Sequence, residues 1–182
     1  MTLSEHFRKG TYAKETDKGT VHDYIDGYYS KEFTPRKSDN IKILEIGIWE
    51  GGSLHLWNDW FENAEITGVE VNNRKWVYKP DNILVHNVDG YSQSTLELFE
   101  DEYFDYIIDD GPHNVNSQIY SIENWFSKVK KGGKLIIEDI QNIDASRRRF
   151  KDSCEKMGIE YNEVDLRSSK GRHDDVLIIL QK

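Results

Sequence analysis

The 182-residue sequence is poor in cysteine and has no long apolar run. It contains one cysteine, Cys154, which excludes an intrachain disulfide and favours a reducing, cytoplasmic setting. No apolar run approaches the roughly 20 residues that a membrane-spanning helix needs. The N-terminal stretch MTLSEHFRKG also lacks the apolar core of a signal peptide. We therefore expect no contact with a membrane.

Positive charge is also scarce, with 24 basic residues against 33 acidic ones and a net charge of −9. Such a chain repels phosphates, so we expect no nucleic-acid partner. The hydrophobic fraction of 37% is low, but aromatic residues make up 12%, which indicates a folded domain with a polar surface. The length suits one domain. The composition does not determine the oligomeric state, and a homo-oligomer stays an open alternative.

Strand and helix patterns alternate along the chain after residue 40, which predicts an α/β, doubly wound, mainly parallel sheet with helices on both faces. We predict residues 1–40 to be a short N-terminal helical cap and 41–182 to be the domain itself. A polar loop suggests that the last two strands pair antiparallel. The strand patterns lie at 41–46, 66–71, 83–86, 103–108, 134–137, 160–166 and 176–180.

Helix boundaries are predicted from short local signals. Capping boxes at 20–23 and 94–97 are each expected to start a helix. A helix that begins at Asn114 is expected to run to Val129 and to stop at the Lys-Lys-Gly-Gly of 130–133. Residues 32–40 read as a polar linker.

The turn after the first strand contains the first candidate site. Glycine at a strand-to-helix turn lets a ligand approach the backbone closely, and Gly47 and Gly51 lie there. Trp49 stands where the second glycine of the dinucleotide motif G-x-G-x-x-G would be, so a pyrophosphate would meet a bulky side chain. A glycine turn without a ligand is the alternative, because short glycine patterns are common.

Acidic residues follow the next strands. Glu70, after the second strand, could accept hydrogen bonds from both hydroxyls of a ribose, and Asp89, after the third, could contact an adenine. Either one alone could be a solvated loop carboxylate. Their position at successive strand ends favours a ligand site, because ligands bind at the carboxyl ends of parallel strands.

A third group of polar residues lies after the fourth and fifth strands. Asp109, Asp110 and His113 follow the fourth strand, and Glu138 and Asp139 follow the fifth. Carboxylates crowded at one sheet edge repel one another, and Mg²⁺, which takes oxygen ligands, would relieve this. Neighbouring residues of a strand point to opposite faces, so both later acids reach one ion only if the chain bends there. His113, with an ordinary pKa of about 6.5, suits a general base. Solvated turn acids are the alternative.

Four stretches resemble one enzyme family: TDKGTVHDY at 16–24, LEIGIWEGGSLHLW, IIDDGPH and KKGGKLIIED. They are similar to the class I S-adenosylmethionine-dependent methyltransferases of the macrocin O-methyltransferase type, a metal-dependent sugar-modifying group that overlaps proteins labelled cephalosporin hydroxylase. The resemblance covers most of 16–139. It implies a Rossmann-like seven-stranded sheet with an antiparallel last strand. Pro112 departs from the family, which usually has serine there.

The resemblance also implies the roles of individual residues. It implies Mg²⁺ held by Asp110, Glu138 and Asp139, with His113 as the base. It implies that 16–24 closes over S-adenosylmethionine. The expected cofactor-binding residues are Lys18, Glu45, Gly47, Trp49, Gly51, Ser53, Glu70, Asp89 and Asp109.

We therefore predict Mg²⁺-dependent methylation of a hydroxyl on a sugar or a glycosylated small molecule. The alternatives are an NAD-dependent oxidoreductase, which Trp49 disfavours, and a non-catalytic module that binds S-adenosylmethionine. The three arginines at 147–149 are better explained as a solvated helix face than as a contact to an anionic acceptor.

Overall fold

A computed structural model describes residues 1–72, 77 and 82–182 of the protein. The N-terminal part contains 3₁₀ turns at Tyr12–Lys14 and Thr34–Arg36 and a π-helix at Ile25–Tyr29, and another 3₁₀ turn spans Trp125–Lys128. In the part of the chain that is described, none of the helices has the length and apolar character that crossing a membrane requires. The α-helices are α1 (Leu3–Lys9), α2 (Ser30–Phe33), α3 (Gly52–Trp60), α4 (Gln93–Leu96), α5 (Val115–Asn124), α6 (Ile143–Met157) and α7 (Arg167–Lys170).

Seven strands form one sheet in the order β3-β2-β1-β4-β5-β7-β6. Strand β7 runs opposite to the other six strands, because it pairs antiparallel with both β5 and β6. The predicted fold is thereby confirmed, including the antiparallel last strand. The chain reverses its direction of travel across the sheet between β1 and β4, which is where a crevice for ligands opens in such folds. The strands are β1 (Asn40–Ile46), β2 (Asn63–Val69), β3 (Ile83–His86), β4 (Phe104–Asp109), β5 (Val129–Ile137), β6 (Tyr161–Asp165) and β7 (Val176–Gln181).

Both faces of the sheet are buried, which explains why its central strands read as unbroken apolar runs. Along β1, Ile41 and Ile43 belong to one core cluster. Leu44 and Ile46, whose side chains alternate with them, belong to a second cluster. Helix α3 covers the first face, and helices α5 and α6 cover the second.

The N-terminal segment contributes to the first core cluster, in which Leu3, Phe7, Tyr24 and Phe33 are almost fully buried. The division of the chain at residue 40 stays a prediction, but this segment supplies part of the core. The predicted helix start at 20–23 is wrong. Thr20 lies in a turn and donates its N–H to the carbonyl of Asp17, and helical structure begins only at 24 without a side-chain cap.

Other predicted boundaries are also corrected. Helix α4 is capped by Ser92, whose hydroxyl accepts from the N–H of Thr95, and not by Ser94. The predicted helix over 114–129 ends early, at Asn124. The two glycines of the predicted stop signal lie inside β5, where Gly132 and Gly133 exchange backbone hydrogen bonds with Lys182. Likewise, the polar linker predicted at 32–40 is partly helical.

Candidate active site

A cavity of about 800 Å³ opens at the carboxyl ends of the strands. Its wall combines the turn after β1 with the residues that follow β2, β3, β4 and β5. The N-terminal segment also contributes to the wall, with residues 13–17 and Thr20. The resemblance implies that 16–24 closes over the cofactor, and Thr16, Asp17 and Thr20 of that segment line the cavity, whereas residues 13–15 were not predicted to do so. The predicted residues in the wall are Gly47, Trp49, Ser53, Glu70, Asp89, Asp110, His113 and Asp139.

The turn after β1 depends on glycine at one position above all. Gly47 has φ +80°, and a Cβ there would lie 2.2 Å from the backbone oxygen of Asp110. Glycine therefore lets the ends of β1 and β4 approach each other. Gly51, also in a left-handed conformation, precedes the first residue of α3. Trp49 lies in the wall with φ +46°, an uncommon value for a large side chain.

The two predicted ligand acids after β2 and β3 lie in the wall. Glu70 accepts backbone hydrogen bonds from Ile48 at 3.1 Å and from Trp49 at 3.3 Å, so it holds the turn in place. Asp89 accepts from the backbone N–H of Tyr91 at 2.9 Å. Each carboxylate keeps lone pairs for a further donor, because an ionised carboxylate has about four acceptor positions.

Two other predicted cofactor residues lie behind the wall. Glu45 is fully buried and accepts from the Ser53 hydroxyl at 2.6 Å and from the Trp57 indole at 2.9 Å. Asp109 is buried and accepts from the Ser121 hydroxyl at 2.6 Å. Burial raises the pKa of Asp109 above its ordinary value. Both side chains support the site from within the protein.

The acids after β4 and β5 meet as the strand order predicts. Asp110, His113 and Asp139 each offer one potential ligand atom, and these atoms lie within 4.8 Å of one another. The Nε2 atom of His113 is 4.0 Å from Oδ1 of Asp110 and 3.6 Å from Oδ2 of Asp139. Its Nδ1 atom is buried and has no hydrogen-bond partner among the described residues.

The chain bends after β5 at Asp139, whose φ is +53°, but the cavity wall contains only Asp139 of the two acids. The hydroxyl of Tyr24 donates to Oδ1 of Asp139 at 2.6 Å and accepts from its backbone N–H at 3.2 Å. The side-chain amide of Gln118 donates to the carbonyls of Glu138 and Asp139, both at 3.3 Å. The sequence did not single out Tyr24 or Gln118 for the site, because each comes from an element distant in the chain.

Glu138 was predicted to be a metal ligand and Lys18 to be a donor contact, but neither lies in the cavity wall. The Nζ atom of Lys18 is 2.6 Å from Oε2 of Glu138 and 2.6 Å from Oδ2 of Asp110. It also lies 3.4 Å from Glu45, and the Tyr29 hydroxyl donates to the other oxygen of Glu138. Burial alone would lower the pKa of Lys18, but the surrounding carboxylates raise it well above its ordinary value.

The charge in this cluster is not balanced. One ammonium faces the carboxylates of Glu45, Asp110 and Glu138, and two of these residues are fully buried. Burial raises the pKa of Glu138 to about 7, although Lys18 opposes the change. The cluster therefore favours an additional positive charge, either a proton or a cation.

Comparison with known proteins identifies the class to which this fold and site belong. Residues 44–140 match the family of methyltransferase domains. Demethylmacrocin O-methyltransferase from Streptomyces fradiae is 29% identical over 132 residues, which cover 67% of this chain and 33% of that protein. A 2'-O-methyltransferase of 8-demethyl-8-alpha-L-rhamnosyl tetracenomycin-C from Streptomyces olivaceus is 27% identical over 137 residues, covering 69% of this chain and 35% of that protein.

The fold comparison agrees with this class. The structure of the MycE methyltransferase in complex with Mg, SAH and mycinamycin VI superposes with a TM-score of 0.74 at 22% identity, over 100% of this chain and 54% of that one. The chain belongs to the methyltransferase domain family, and the resemblance to the macrocin group is confirmed. It spans about a third of the length of the curated relatives.

Proposed function

We propose that this chain is an S-adenosylmethionine-dependent O-methyltransferase that uses Mg²⁺ and acts on a hydroxyl of a sugar-containing small molecule. The observation that carries the proposal is one continuous cavity whose wall contains both the glycine turn with Glu70 and the group of Asp110, His113 and Asp139. A methyl donor and an acceptor could therefore bind side by side. The names of the relatives support a sugar-bearing acceptor.

The donor half of the cavity is assigned to the turn after β1 and to the acids beside it. The backbone at Gly47 can approach a ligand closely, Glu70 can accept from ribose hydroxyls, and Asp89 can contact the adenine. Trp49 and Ser53 complete this part of the wall. S-adenosylmethionine supplies an electrophilic methyl group on a positively charged sulfur. Glu45 and Asp109, which lie behind the wall, are assigned a supporting role.

The acceptor half is assigned to the carboxylates and the imidazole. Asp110 and Asp139 provide the oxygen atoms that Mg²⁺ prefers, and the unbalanced negative charge around them suits a divalent cation. When bound, Mg²⁺ would lower the pKa of an acceptor hydroxyl. These two residues would hold the ion, and its remaining positions would take water or acceptor oxygens.

His113 is assigned the proton transfer. Its Nε2 atom faces the two carboxylates, and its side chain is 32% exposed, so it can accept the hydroxyl proton and later release it to solvent. The acceptor oxygen forms a bond to the methyl carbon as the carbon–sulfur bond breaks. The products are a methyl ether and S-adenosylhomocysteine. Holding the two reactants in line would supply much of the rate.

Calorimetry tests the donor site. S-adenosylhomocysteine should bind and NAD should not, because Trp49 stands where the dinucleotide motif needs its second glycine. Glu70→Ala should weaken S-adenosylhomocysteine binding by roughly tenfold to a hundredfold, the value of a hydrogen bond to a charged group. Glu100→Ala removes an exposed carboxylate and is the matched control. Tight NAD binding, or equal affinity in both variants, would contradict the assignment of the donor site.

Turnover of labelled S-adenosylmethionine with pooled sugars, nucleotide sugars and phenols tests the reaction. His113→Ala should lower kcat by about a hundredfold or more while leaving S-adenosylhomocysteine affinity intact, because the imidazole faces the acceptor. His173→Ala, at an exposed histidine, is the control.

A chelator should stop turnover, and Mg²⁺ should restore it. Donor binding without turnover of any acceptor would favour the non-catalytic module.

A further inference from the structure

Lys170, the last residue of α7, donates three hydrogen bonds to backbone carbonyls of the N-terminal segment. Its Nζ atom lies 2.8 Å from the carbonyl oxygen of Gly19, 3.2 Å from that of Thr20 and 2.6 Å from that of His22. We propose that Lys170 is a positioning residue for the donor site, which holds the turn at 17–22 in place in the cavity wall. The inference rests on the proposed function, because it assumes that the cavity binds S-adenosylmethionine.

The N-terminal segment enters the cavity wall beside the donor half. The carbonyl oxygen of Glu15 lies so close to the start of α3 that a Cβ at Gly52 would be 1.9 Å from it. The carboxylate of Glu15 also contacts Nδ1 of His55, in α3, at 2.6 Å. Helix α3 directly follows the glycine turn after β1. Residues 13–17, which line the cavity, therefore lie next to the part of the wall that is assigned to the donor.

The segment continues into a tight turn that also reaches the cavity. The backbone N–H groups of Thr20, Val21 and His22 all donate to the carbonyl of Asp17 at 3.0 Å. The cavity wall contains both Asp17 and Thr20. The carbonyl of Asp17 thus holds the N–H groups of the turn, while the ammonium of Lys170 holds its carbonyls.

The three carbonyls need a cation because of their arrangement. Backbone carbonyls that converge on one point suit a positive charge, since their oxygen atoms carry partial negative charge and repel one another. A lysine ammonium has three N–H donors, one for each carbonyl. The side chain of Lys170 is only 28% exposed, so water would replace these contacts incompletely. Without the ammonium we expect the peptide groups of 19–22 to turn apart and Thr20 to leave the wall.

The residue after the turn is attached by other contacts. The backbone N–H of Asp23 lies 3.3 Å from each carboxylate oxygen of Asp175, and its side chain accepts from the hydroxyl of Ser169. Loss of the ammonium should therefore loosen 17–22 and leave the following chain in place. All three anchoring residues lie outside the matched range 44–140, so the family match does not reveal them.

Calorimetry with S-adenosylhomocysteine tests the inference on the full chain. Lys170→Met keeps most of the side chain but removes the ammonium, and it should raise the Kd by about tenfold, the value of one hydrogen bond to a charged group. Lys151→Met, at an exposed lysine, is the matched control and should leave the Kd unchanged. If Lys170→Met binds as tightly as the unmodified chain, the inference fails and the proposed function stands. If the unmodified chain does not bind S-adenosylhomocysteine, both fail.

A second measurement separates positioning from a general loss of stability. In Lys170→Cys, 2-bromoethylamine restores an ammonium at nearly the length of lysine, whereas iodoacetamide adds a neutral group. Cys154 is buried, so each reagent should add one group to the folded chain. The ammonium should return the Kd to within about threefold of the original value, because it restores the charge-assisted hydrogen bonds. The neutral group should not. Equal Kd values for the two products would overturn the positioning role.

Discussion

Replacing Gly47 with alanine should lower the free energy of unfolding for two reasons. The first is backbone strain, because Gly47 has φ +80°, and a left-handed conformation costs an ordinary residue about 1–2 kcal/mol. The second is steric, because the new Cβ would lie 2.2 Å from the backbone oxygen of Asp110, and overpacking of this kind costs about 1–3 kcal/mol. The expected total loss in the free energy of unfolding is about 2–5 kcal/mol.

Gly132 provides a matched control. Its φ is +82°, but a Cβ there would meet none of the described atoms within 4 Å. Gly132→Ala should therefore lose only the strain, about 1–2 kcal/mol. Urea unfolding of the two variants measures the difference, and calorimetry with S-adenosylhomocysteine should show weaker binding in Gly47→Ala alone. Equal losses of stability would refute the claim that close approach of β1 and β4 requires glycine at 47.

Three further predictions concern residues away from the cavity. Burial raises the pKa of the Cys154 thiol from 9.0 to about 11, so mass spectrometry should show that iodoacetamide alkylates it about a hundredfold more slowly at pH 8 than in the unfolded chain. Because the unfolded thiol ionises first, stability should fall as the pH rises from 9 toward 11, and Cys154→Ala should lack this loss. Asn142→Ala removes the cap of α6 and should cost about 1 kcal/mol in urea unfolding. Arg147→Ala breaks an exposed pair with Glu163 and should leave the urea midpoint almost unchanged, and a large loss of turnover would instead indicate contact with the acceptor.

The sheet could be predicted because its central strands are buried on both faces and therefore read as apolar runs. The order of the strands also predicted which residues meet at most of the site. Glu70, Asp110 and Asp139 each follow a parallel strand, so their arrival at one edge of the sheet followed from chain order alone. The alternation of side chains along a strand made a bend after β5 the condition for Glu138 and Asp139 to reach one ion, and in the structure only Asp139 lines the cavity.

The rest depended on contacts between distant parts of the chain. Lys18 lies 92 residues from Asp110 and 120 from Glu138, and no local pattern reveals which side chain meets its ammonium. The local sequence around Gly132 and Gly133 does not show whether these glycines end a helix or lie in a strand. Their pairing with Lys182 decides between the two, and that pairing exists only in the folded sheet.

At three positions in the cavity wall, backbone strain lowers the stability of the protein, while the residue at that position serves the proposed activity. Among the described residues, four non-glycine residues have positive φ, and three of them, Trp49, His113 and Asp139, lie in the cavity wall. Each such residue costs about 1–3 kcal/mol, which glycine would relieve. A laboratory selection for heat resistance alone would therefore favour glycine at 49, 113 and 139. The variants it enriched would lose the assigned base and a cation ligand, so heat-resistant descendants of this chain should be screened for turnover at every round.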